Sequence, residues 1–444
     1  MHLVIGLGKT GLSVMRFLRN QQQPFMVYDT RPSVPNLVEI QQHYPNTVVF
    51  LQEFPLEELT NVQRIIVSPG ISLELPIFEH VRQHNIPVIG DIELFAQYAK
   101  APVIGITGTN AKSTVTTLVG EMIRAAGYYP LVGGNLGTPA LDLLLQPEPD
   151  FYVLELSSFQ LETTYNLQLA VAAILNISPD HLDRHHTMQN YIAAKQRIYQ
   201  HAQVGVWNSD DLNTKPQYPV AKQLTFTEQQ PHTNAEFGLI TRDQNSYLAQ
   251  GNECLMPVSE LKIYGKHSQL NALSALAIGR AVDLSSTAMC QTLTTFCGLP
   301  HRCQLVSQAH GIHWYNDSKA TNVGAAQASI QSLGQAYQPG KLVLIAGGRA
   351  KDANFEGLLA PIKQYVKQVI LIGEASTILA SLLTAHVALT QALDMSNAVR
   401  LAAEYAQAGD AVLLAPACAS FDMFKDFNER GEVFAREVQA LEVV

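Results

Sequence analysis

The chain is 444 residues long, 47% hydrophobic and 15% charged, with a formal net charge of −9. That length holds about three ordinary domains, and that composition belongs to a globular chain with a full core. The acidic balance excludes a broad basic footprint for nucleic acid or an anionic membrane surface, so a phosphorylated ligand has to be held by local loops, helix ends and single Lys or Arg residues.

The chain enters a strand directly at His2-Leu3-Val4-Ile5, with no leader pattern, and no apolar run is long enough to span a bilayer. A cytoplasmic protein with no nucleic-acid or membrane partner is expected. Residues 3–5, 25–28, 48–51 and 64–67 read as strands, and helical periodicity between several of them gives a parallel α/β pattern up to residue 97. Gly6-Leu7-Gly8-Lys9-Thr10-Gly11 follows the first strand as a GxGxxG turn, and Asp29 ends the second near the spacing of an acidic ribose ligand. Such a turn cradles any pyrophosphate, so NAD is only one of its possible ligands.

A second unit starts near Ala101-Pro102. Its first strand runs into Gly105-Ile106-Thr107-Gly108-Thr109-Asn110-Ala111-Lys112-Ser113-Thr114 and then a helical run over 115–126. Strand, small-residue turn, Lys-Ser and helix make a phosphate-binding loop: backbone N–H groups meet phosphate oxygens, Lys112 reaches the outer phosphates and Ser113 ligates Mg²⁺. A strict loop has Gly before the Lys. Ala111 occupies that place, so the loop either keeps φ negative there or carries strain. Residues 151–155 and 170–175 read as further buried strands; 212–262 read as a small β-rich appendage or sheet edge; 268–282 and 286–296 read as helices. Glu155 closes a buried strand where a carboxylate could hold Mg²⁺. The stretch 176–186 holds Asp180, His181, Asp183, His185 and His186 without the spacing of a zinc site, so a loop in which one His touches Mg²⁺ or substrate is expected, with His185 and His186 at the surface. Lys195 reads, from its helix alone, as a solvated lysine. The five cysteines, Cys254, Cys290, Cys297, Cys303 and Cys418, contain no CxxC pair, which suits a reducing compartment.

Gly298-Leu299-Pro300 breaks the pattern and opens a third α/β unit with strands at 312–315, 342–346, 369–372 and 412–415. Asn316-Asp317-Ser318-Lys319-Ala320-Thr321-Asn322 follows the first of these: Asp317 could take ribose hydroxyls, and Lys319 and Thr321 could face a phosphoryl group. Gly347-Gly348-Arg349-Ala350-Lys351 and Pro416-Ala417-Cys418-Ala419-Ser420-Phe421-Asp422 follow two others and bring a cation and a hydroxyl to the same sheet edge.

With these motifs in this order, the chain resembles the Mur ligase family over essentially its whole length. Residues 104–127 resemble the family's ATP loop. Tyr28-Asp29-Thr30-Arg31, Ser68-Pro69-Gly70-Ile71, 154–160, His181-Leu182-Asp183-Arg184, 316–322 and 420–431 are most similar to the family's D-glutamate-adding branch. The resemblance implies three α/β domains: a Rossmann-like UDP-substrate domain over 1–97, a central P-loop ATPase-like domain over 98–298, and a Rossmann-like domain over 299–444 that binds the amino acid and closes over ATP. It implies an ATP-dependent ligase that adds D-glutamate to UDP-N-acetylmuramoyl-L-alanine (UDP-MurNAc-L-Ala) in peptidoglycan precursor synthesis, working as a monomer in a bacterial cytoplasm.

The resemblance also implies roles. Gly8, Lys9, Thr10, Asp29, Thr30, Arg31, Gly70, Asn135, Ser157 and His181 would hold the UDP substrate. Gly108, Thr109, Asn110, Lys112, Ser113, Thr114, Asn271, Arg302 and Asp317 would hold ATP. Ser113, Glu155, His181 and a carbamylated Lys195 would ligate two Mg²⁺ ions. Thr321, Lys351, Ser420 and Phe427 would form the D-glutamate pocket, with Lys319 near the transferred phosphate. Ala111 stands where the family usually has Gly, Ser268 where Asn is common, and Arg349-Ala350 where an acidic residue and Gly are frequent. A folylpolyglutamate synthase-like ligase, a catalytically inactive nucleotide-binding protein and an NAD enzyme are the alternatives.

Overall fold

The computed structural model describes the chain except Pro35, residues 263–265, Gln338, residues 351–352 and residues 442–444. It divides into two compact units, residues 1–256 with 271–292, and residues 257–270 with 293–444.

The first unit carries two sheets. In one, β1 (His2–Ile5), β2 (Phe25–Asp29), β3 (Val49–Leu51), β4 (Arg64–Val67) and β5 (Val88–Gly90) lie in the order β3-β2-β1-β4-β5. Every pair is parallel. Leu3, Val4 and Ile5 are fully buried, the continuous apolar run of a strand covered on both faces. The chain winds outward through β2 and β3 and then crosses to β4, so a crevice forms at the carboxyl ends of β1 and its neighbours. Gly6 leaves β1 with φ +94°, a backbone that an L side chain resists, and the helix Lys9–Asn20 follows. Gly11 lets that helix settle on the turn: a Cβ there would sit 1.9 Å from the Gly6 carbonyl oxygen.

The other sheet comprises β6 (Val103–Thr107), β7 (Pro130–Gly134), β8 (Phe151–Glu155), β9 (Leu169–Ile174), β10 (Ala202–Asn208), β11 (Lys222–Phe226), β12 (Glu236–Arg242), β13 (Asn245–Gln250) and β14 (Glu253–Pro257), ordered β14-β13-β12-β11-β10-β9-β6-β8-β7. β6 is flanked by β8 on one side and β9 on the other, both parallel to it, so the loops after these three strands meet at one edge. The polar stretch after residue 212 extends this sheet. β12 and β13 pair antiparallel through a two-residue turn in which Asp243 and Gln244 both have positive φ, as a type I′ hairpin requires. The helix Asp91–Ala96 joins the two sheets of the unit through one core, where Phe95 meets Tyr152 edge-on at 5.1 Å.

The second unit holds β15 (Gln304–Ala309), β16 (Ile312–Asn316), β17 (Leu342–Gly347), β18 (Val366–Ile372), β19 (Ala388–Gln391) and β20 (Ala411–Leu414), ordered β15-β16-β20-β17-β18-β19. Only β15 runs antiparallel to its neighbour. β16, β20 and β17 are adjacent, so the segments 316–322, 416–422 and 347–350 leave one edge together. Gly347 N donates to Pro416 O at 2.9 Å, and Ala417 N to Ala320 O at 2.9 Å.

Candidate active site

A cleft of about 520 Å³ opens where β1, β2 and β4 end, a volume suited to a nucleotide-sized ligand. Gly8, Lys9, Thr10, Asp29, Thr30, Arg31, Gly70 and Asn135 all line it. Asp29 is 1% exposed and shapes the wall from beneath. Its two oxygens accept from Leu7 N (2.7 Å), Arg31 N (3.0 Å), Arg31 Nε (2.8 Å) and Arg31 Nη2 (2.8 Å). Burial opposes the charge, but the Arg31 side chain and the Leu7 and Arg31 N–H groups outweigh it and hold the carboxyl below its usual range. Four donors fill the four lone-pair sites of the carboxylate. The dinucleotide reading therefore loses its ribose acceptor: Asp29 locks the glycine turn and orients Arg31 instead. The opposite wall comes from the neighbouring domain of the same unit. Lys9 Nζ donates to Gly137 O, and Asp142 accepts from Ser13 Oγ (2.9 Å) and from both Arg16 Nε (3.2 Å) and Arg16 Nη2 (2.6 Å).

The loop after β6 is built like a phosphate cradle. Ala111 has φ +66° and caps the helix Lys112–Ala125, so the loop takes the strained alternative. For a non-glycine residue the left-handed region costs about 1–2 kcal/mol, and the neighbours hold it there. Thr109 N donates to Asn176 O (2.9 Å), Asn110 N to Asn176 Oδ1 (2.8 Å), and Thr109 Oγ1 to Ser178 O (3.1 Å). Lys112 Nζ donates to Gly108 O (3.0 Å) and Thr109 O (2.9 Å), folded over its own turn. Ser113 and Thr114 are buried behind it.

Glu155 ends β8 at 3% exposure. Its Oε1 accepts from Asn135 Nδ2 at 2.6 Å, while Oε2 is buried without a hydrogen-bond partner. A buried carboxylate oxygen left in that state calls for a cation or a ligand donor. Lys195, read from its helix as solvated, is in fact 1% exposed. Its Nζ donates to Gly108 O at 2.8 Å, lies 3.4 Å from Thr107 Oγ1 and sits 4.8 Å from the centre of the Tyr191 ring. Burial first, and the Lys112 charge next, hold the amine well below the lysine range against the pull of Asp180 and Glu155. His181 caps the short helix Leu182–His185 with φ +54° and meets the Phe159 ring edge-on at 4.9 Å. Burial keeps its imidazole below the usual range, against Asp180. His185 also departs from expectation. It is 3% exposed, stacked on Phe159, 3.0 Å from Ser158 Oγ, and lowered to about 4 by burial and then by the charge of His181. His186 is at the surface, as its sequence context suggests. Among the described residues no three His, Cys, Asp or Glu side chains gather as a metal-binding group. Asn271 lies in the helix Lys266–Ala281, its carbonyl accepting from Ser274 Oγ at 2.8 Å.

In the second unit, Lys319 Nζ sits 3.9 Å from the centre of the Phe427 ring. Ser318 Oγ donates to Phe427 O at 2.8 Å, and Asn316 Nδ2 to Gly431 O at 2.8 Å, which pins the 316–322 segment to the helix Phe427–Leu441. Thr321 N donates to Lys319 O at 2.8 Å, and Ser420 is buried at the end of the segment after β20. Asp317 is buried too. Its Oδ1 accepts from Cys303 N at 3.1 Å and its Oδ2 from Ser329 Oγ, and burial raises its carboxyl above the usual range. Arg302 lies one residue before Cys303 and is half-buried. Lys351 lies outside the described residues. The guanidinium of Arg430, missed by sequence reasoning, is 1% exposed and donates to Ser318 Oγ (2.9 Å), Ser318 O (2.8 Å) and Cys418 O (3.2 Å).

Family models match the chain in the same order as its sheets: the Mur ligase MurD-like N-terminal domain over residues 1–90, the Mur ligase middle domain over 106–279, and the Mur ligase glutamate ligase domain over 301–418. The chain belongs to the Mur ligase family. It is 47% identical over 445 residues to the UDP-N-acetylmuramoylalanine--D-glutamate ligase of Legionella pneumophila (strain Paris), covering 99% of both chains. It is 50% identical over 440 residues to the ligase of the same name from Pseudomonas syringae pv. syringae (strain B728a), covering 99% of this chain and 98% of that one. The crystal structure of UDP-N-acetylmuramate-alanine ligase from Thermotoga maritima superposes with a TM-score of 0.64 at 16% identity over 99% of both chains, a likeness of fold.

Within this Mur ligase, the structure brings eight of the ten residues expected at the UDP substrate to one cleft, and leaves Ser157 and His181 outside its lining. Ser157 instead forms a capping box with Gln160 at the start of the helix Ser158–Glu162. The bridging role of Asp142 and the burial of Arg430 are set by partners far along the chain, so no local pattern announces them.

Proposed function

We propose that this Mur ligase adds D-glutamate to UDP-MurNAc-L-Ala, with ATP as the energy source, in peptidoglycan precursor synthesis. The observation that carries the reading is 47–50% identity, end to end, to ligases named for that reaction. The cleft lined by Gly8, Lys9, Asp29, Arg31 and Asn135 supports it from the side of the nucleotide substrate. The finer reading is a monomeric, three-domain enzyme of the bacterial cytoplasm, with boundaries at 1–97, 98–298 and 299–444.

The L-alanyl carboxylate attacks the γ-phosphorus of ATP and ADP leaves, giving an acyl phosphate. The D-glutamate amine, having lost a proton, attacks the acyl carbon, and phosphate departs with the bridging oxygen. Two anions meet in the first step, so cationic groups must offset their repulsion. Gly108, Thr109, Asn110, Lys112, Ser113 and Thr114 cradle the phosphates; Asn271, Arg302 and Asp317 serve the adenosine side. Mg²⁺, in two ions when bound, neutralises phosphate charge. Ser113, Glu155, His181 and Lys195 are the residues to hold it: Glu155 Oε2 waits buried without a partner, and burial lowers the Lys195 amine well below its usual range, which favours the uncharged form that adds CO₂ to become a carbamate ligand. Thr321, Lys351, Ser420 and Phe427 receive D-glutamate, and Lys319 faces the phosphoryl group.

The test is isotopic. With ¹⁸O in the L-alanyl carboxylate, one labelled oxygen should appear in the released phosphate. Unlabelled phosphate accompanied by full product formation would rule out the acyl phosphate route.

A further inference from the structure

The segment after β9 carries a cation that the roles above leave unused. Arg184 has a side chain 19% exposed, and it reaches two parts of the site at once. Its Nη2 donates to Ile71 O at 3.0 Å and lies 3.4 Å from Glu162 Oε2. Its guanidinium carbon sits 5.3 Å from the centre of the Phe159 ring. Ile71 belongs to the turn after β4 that walls the cleft beside Gly70. Phe159 is the platform of His181: the two rings meet edge-on at 4.9 Å, while His185 stacks on Phe159 at 5.2 Å with 13° between planes. Glu162 steadies the assembly by facing His185 Nδ1 at 3.4 Å as well as Arg184.

One guanidinium therefore grips the cleft wall with a nitrogen and lies over the ring that serves as the platform of His181. We infer that Arg184 is a positioning residue that couples filling of the UDP-substrate cleft to the setting of His181. A ligand seated against Gly70 and Ile71 fixes the Ile71 carbonyl, that carbonyl orients the guanidinium, and the guanidinium holds Phe159 against the imidazole. The coupling is reciprocal, so a His181 fixed from its own side favours the filled cleft. A lysine could reach the carbonyl but offers no planar fork for the ring. The inference rests on the cleft taking the UDP substrate and on His181 working at the metal and substrate.

The experiment compares the unmodified chain with Arg184→Gln, Arg184→Lys and Phe159→Leu. Calorimetry measures UDP-MurNAc-L-Ala binding without ATP, and steady-state kinetics are run over a Mg²⁺ series. Arg184→Gln should weaken that binding and raise the KM for the UDP substrate about tenfold, the scale of one charge-assisted hydrogen bond. It should raise the Mg²⁺ needed for half-maximal rate and leave the KM for D-glutamate unchanged. Arg184→Lys should recover part of the binding. Phe159→Leu should shift the Mg²⁺ requirement and leave UDP-substrate affinity within about twofold. Binding by Arg184→Gln equal to that of the unmodified chain would overturn the inference alone. So would a fall in kcat with every KM and the Mg²⁺ requirement unchanged, which marks a smaller folded fraction. An unmodified chain that binds no UDP-MurNAc-L-Ala would overturn the reading of the cleft and this inference with it.

Discussion

A lysine amine taken out of water must be paired, neutralised or modified, because its bare charge is too costly to bury. Lys195 meets that demand with the Gly108 carbonyl, the Tyr191 ring and an amine held well below its usual range. Lys195→Ala should lower turnover about a hundredfold or more, the scale of losing one preorganised charge at a reacting phosphate. Millimolar acetate or formate should restore part of the rate by standing in for the carbamate; full rate without either would remove Lys195 from the metal site. Its helix alone reads as solvated, since its burial is decided by a loop 87 positions away, and only the family resemblance singled it out. Ala111 was legible in kind, as a residue at odds with its motif, and the fold settles the conflict as strain at φ +66°. Ala111→Gly should relieve about 1–2 kcal/mol of left-handed strain and give back about 0.4–1 kcal/mol through the freer unfolded chain. A small gain in chemical-denaturation midpoint is the expected result, and a clear loss would mean that Ala111 makes packing contacts worth more than its strain.

Strands with unbroken apolar runs, such as β1, β6 and β8, were legible because parallel sheets bury both faces. Those that were not carry interruptions with reasons. β7 begins with Pro130 and ends in two glycines, which an edge strand tolerates. β10 carries Gly205, where a Cβ would lie 3.0 Å from the Pro216 ring. β19 is a half-exposed edge with too little apolar pattern to register. The glycine turn after β1 is the element with the least slack. Gly11→Ala would push a Cβ into the Gly6 carbonyl, so it should cost about 3 kcal/mol in urea unfolding and impair the cleft; a cost under about 1 kcal/mol would mean the helix Lys9–Asn20 can slide. In the second unit, Asp410 fastens the starts of three neighbouring strands, accepting from Lys367 Nζ in β18 and from Gln407 N, with Lys341 Nζ, just before β17, at 3.3 Å. Burial works against its charge, but Lys367, the Gln407 N–H and Lys341 hold its carboxyl below 3.8. Its contribution is present above pH 3.8 and is lost as pH falls through the lower folded value. Asp410→Asn should cost about 1–2 kcal/mol at neutral pH, after allowing for solvent around the lysines, and the gap to the unmodified chain should close on acidification. A gap that persists at pH 2 would assign the loss to shape rather than charge.

In each of the three sheets the candidate motifs follow the carboxyl ends of strands, which is why motifs scattered over hundreds of residues could be placed from strand-then-loop order alone. What that order could not supply was the partner of each side chain: Asp29 turned inward onto Leu7 and Arg31, Ser157 spent on a helix cap, and Asp317 enclosed by Cys303 and Ser329. The account as a whole stands on the identity of the two substrates that meet ATP. The most direct measurement is phosphate release from ATP and Mg²⁺ with UDP-MurNAc-L-Ala, run with D-glutamate, with L-glutamate and with no amino acid. The account predicts sustained release only when UDP-MurNAc-L-Ala and D-glutamate are both present. Release that ignores the amino acid, or none under any condition, would contradict it.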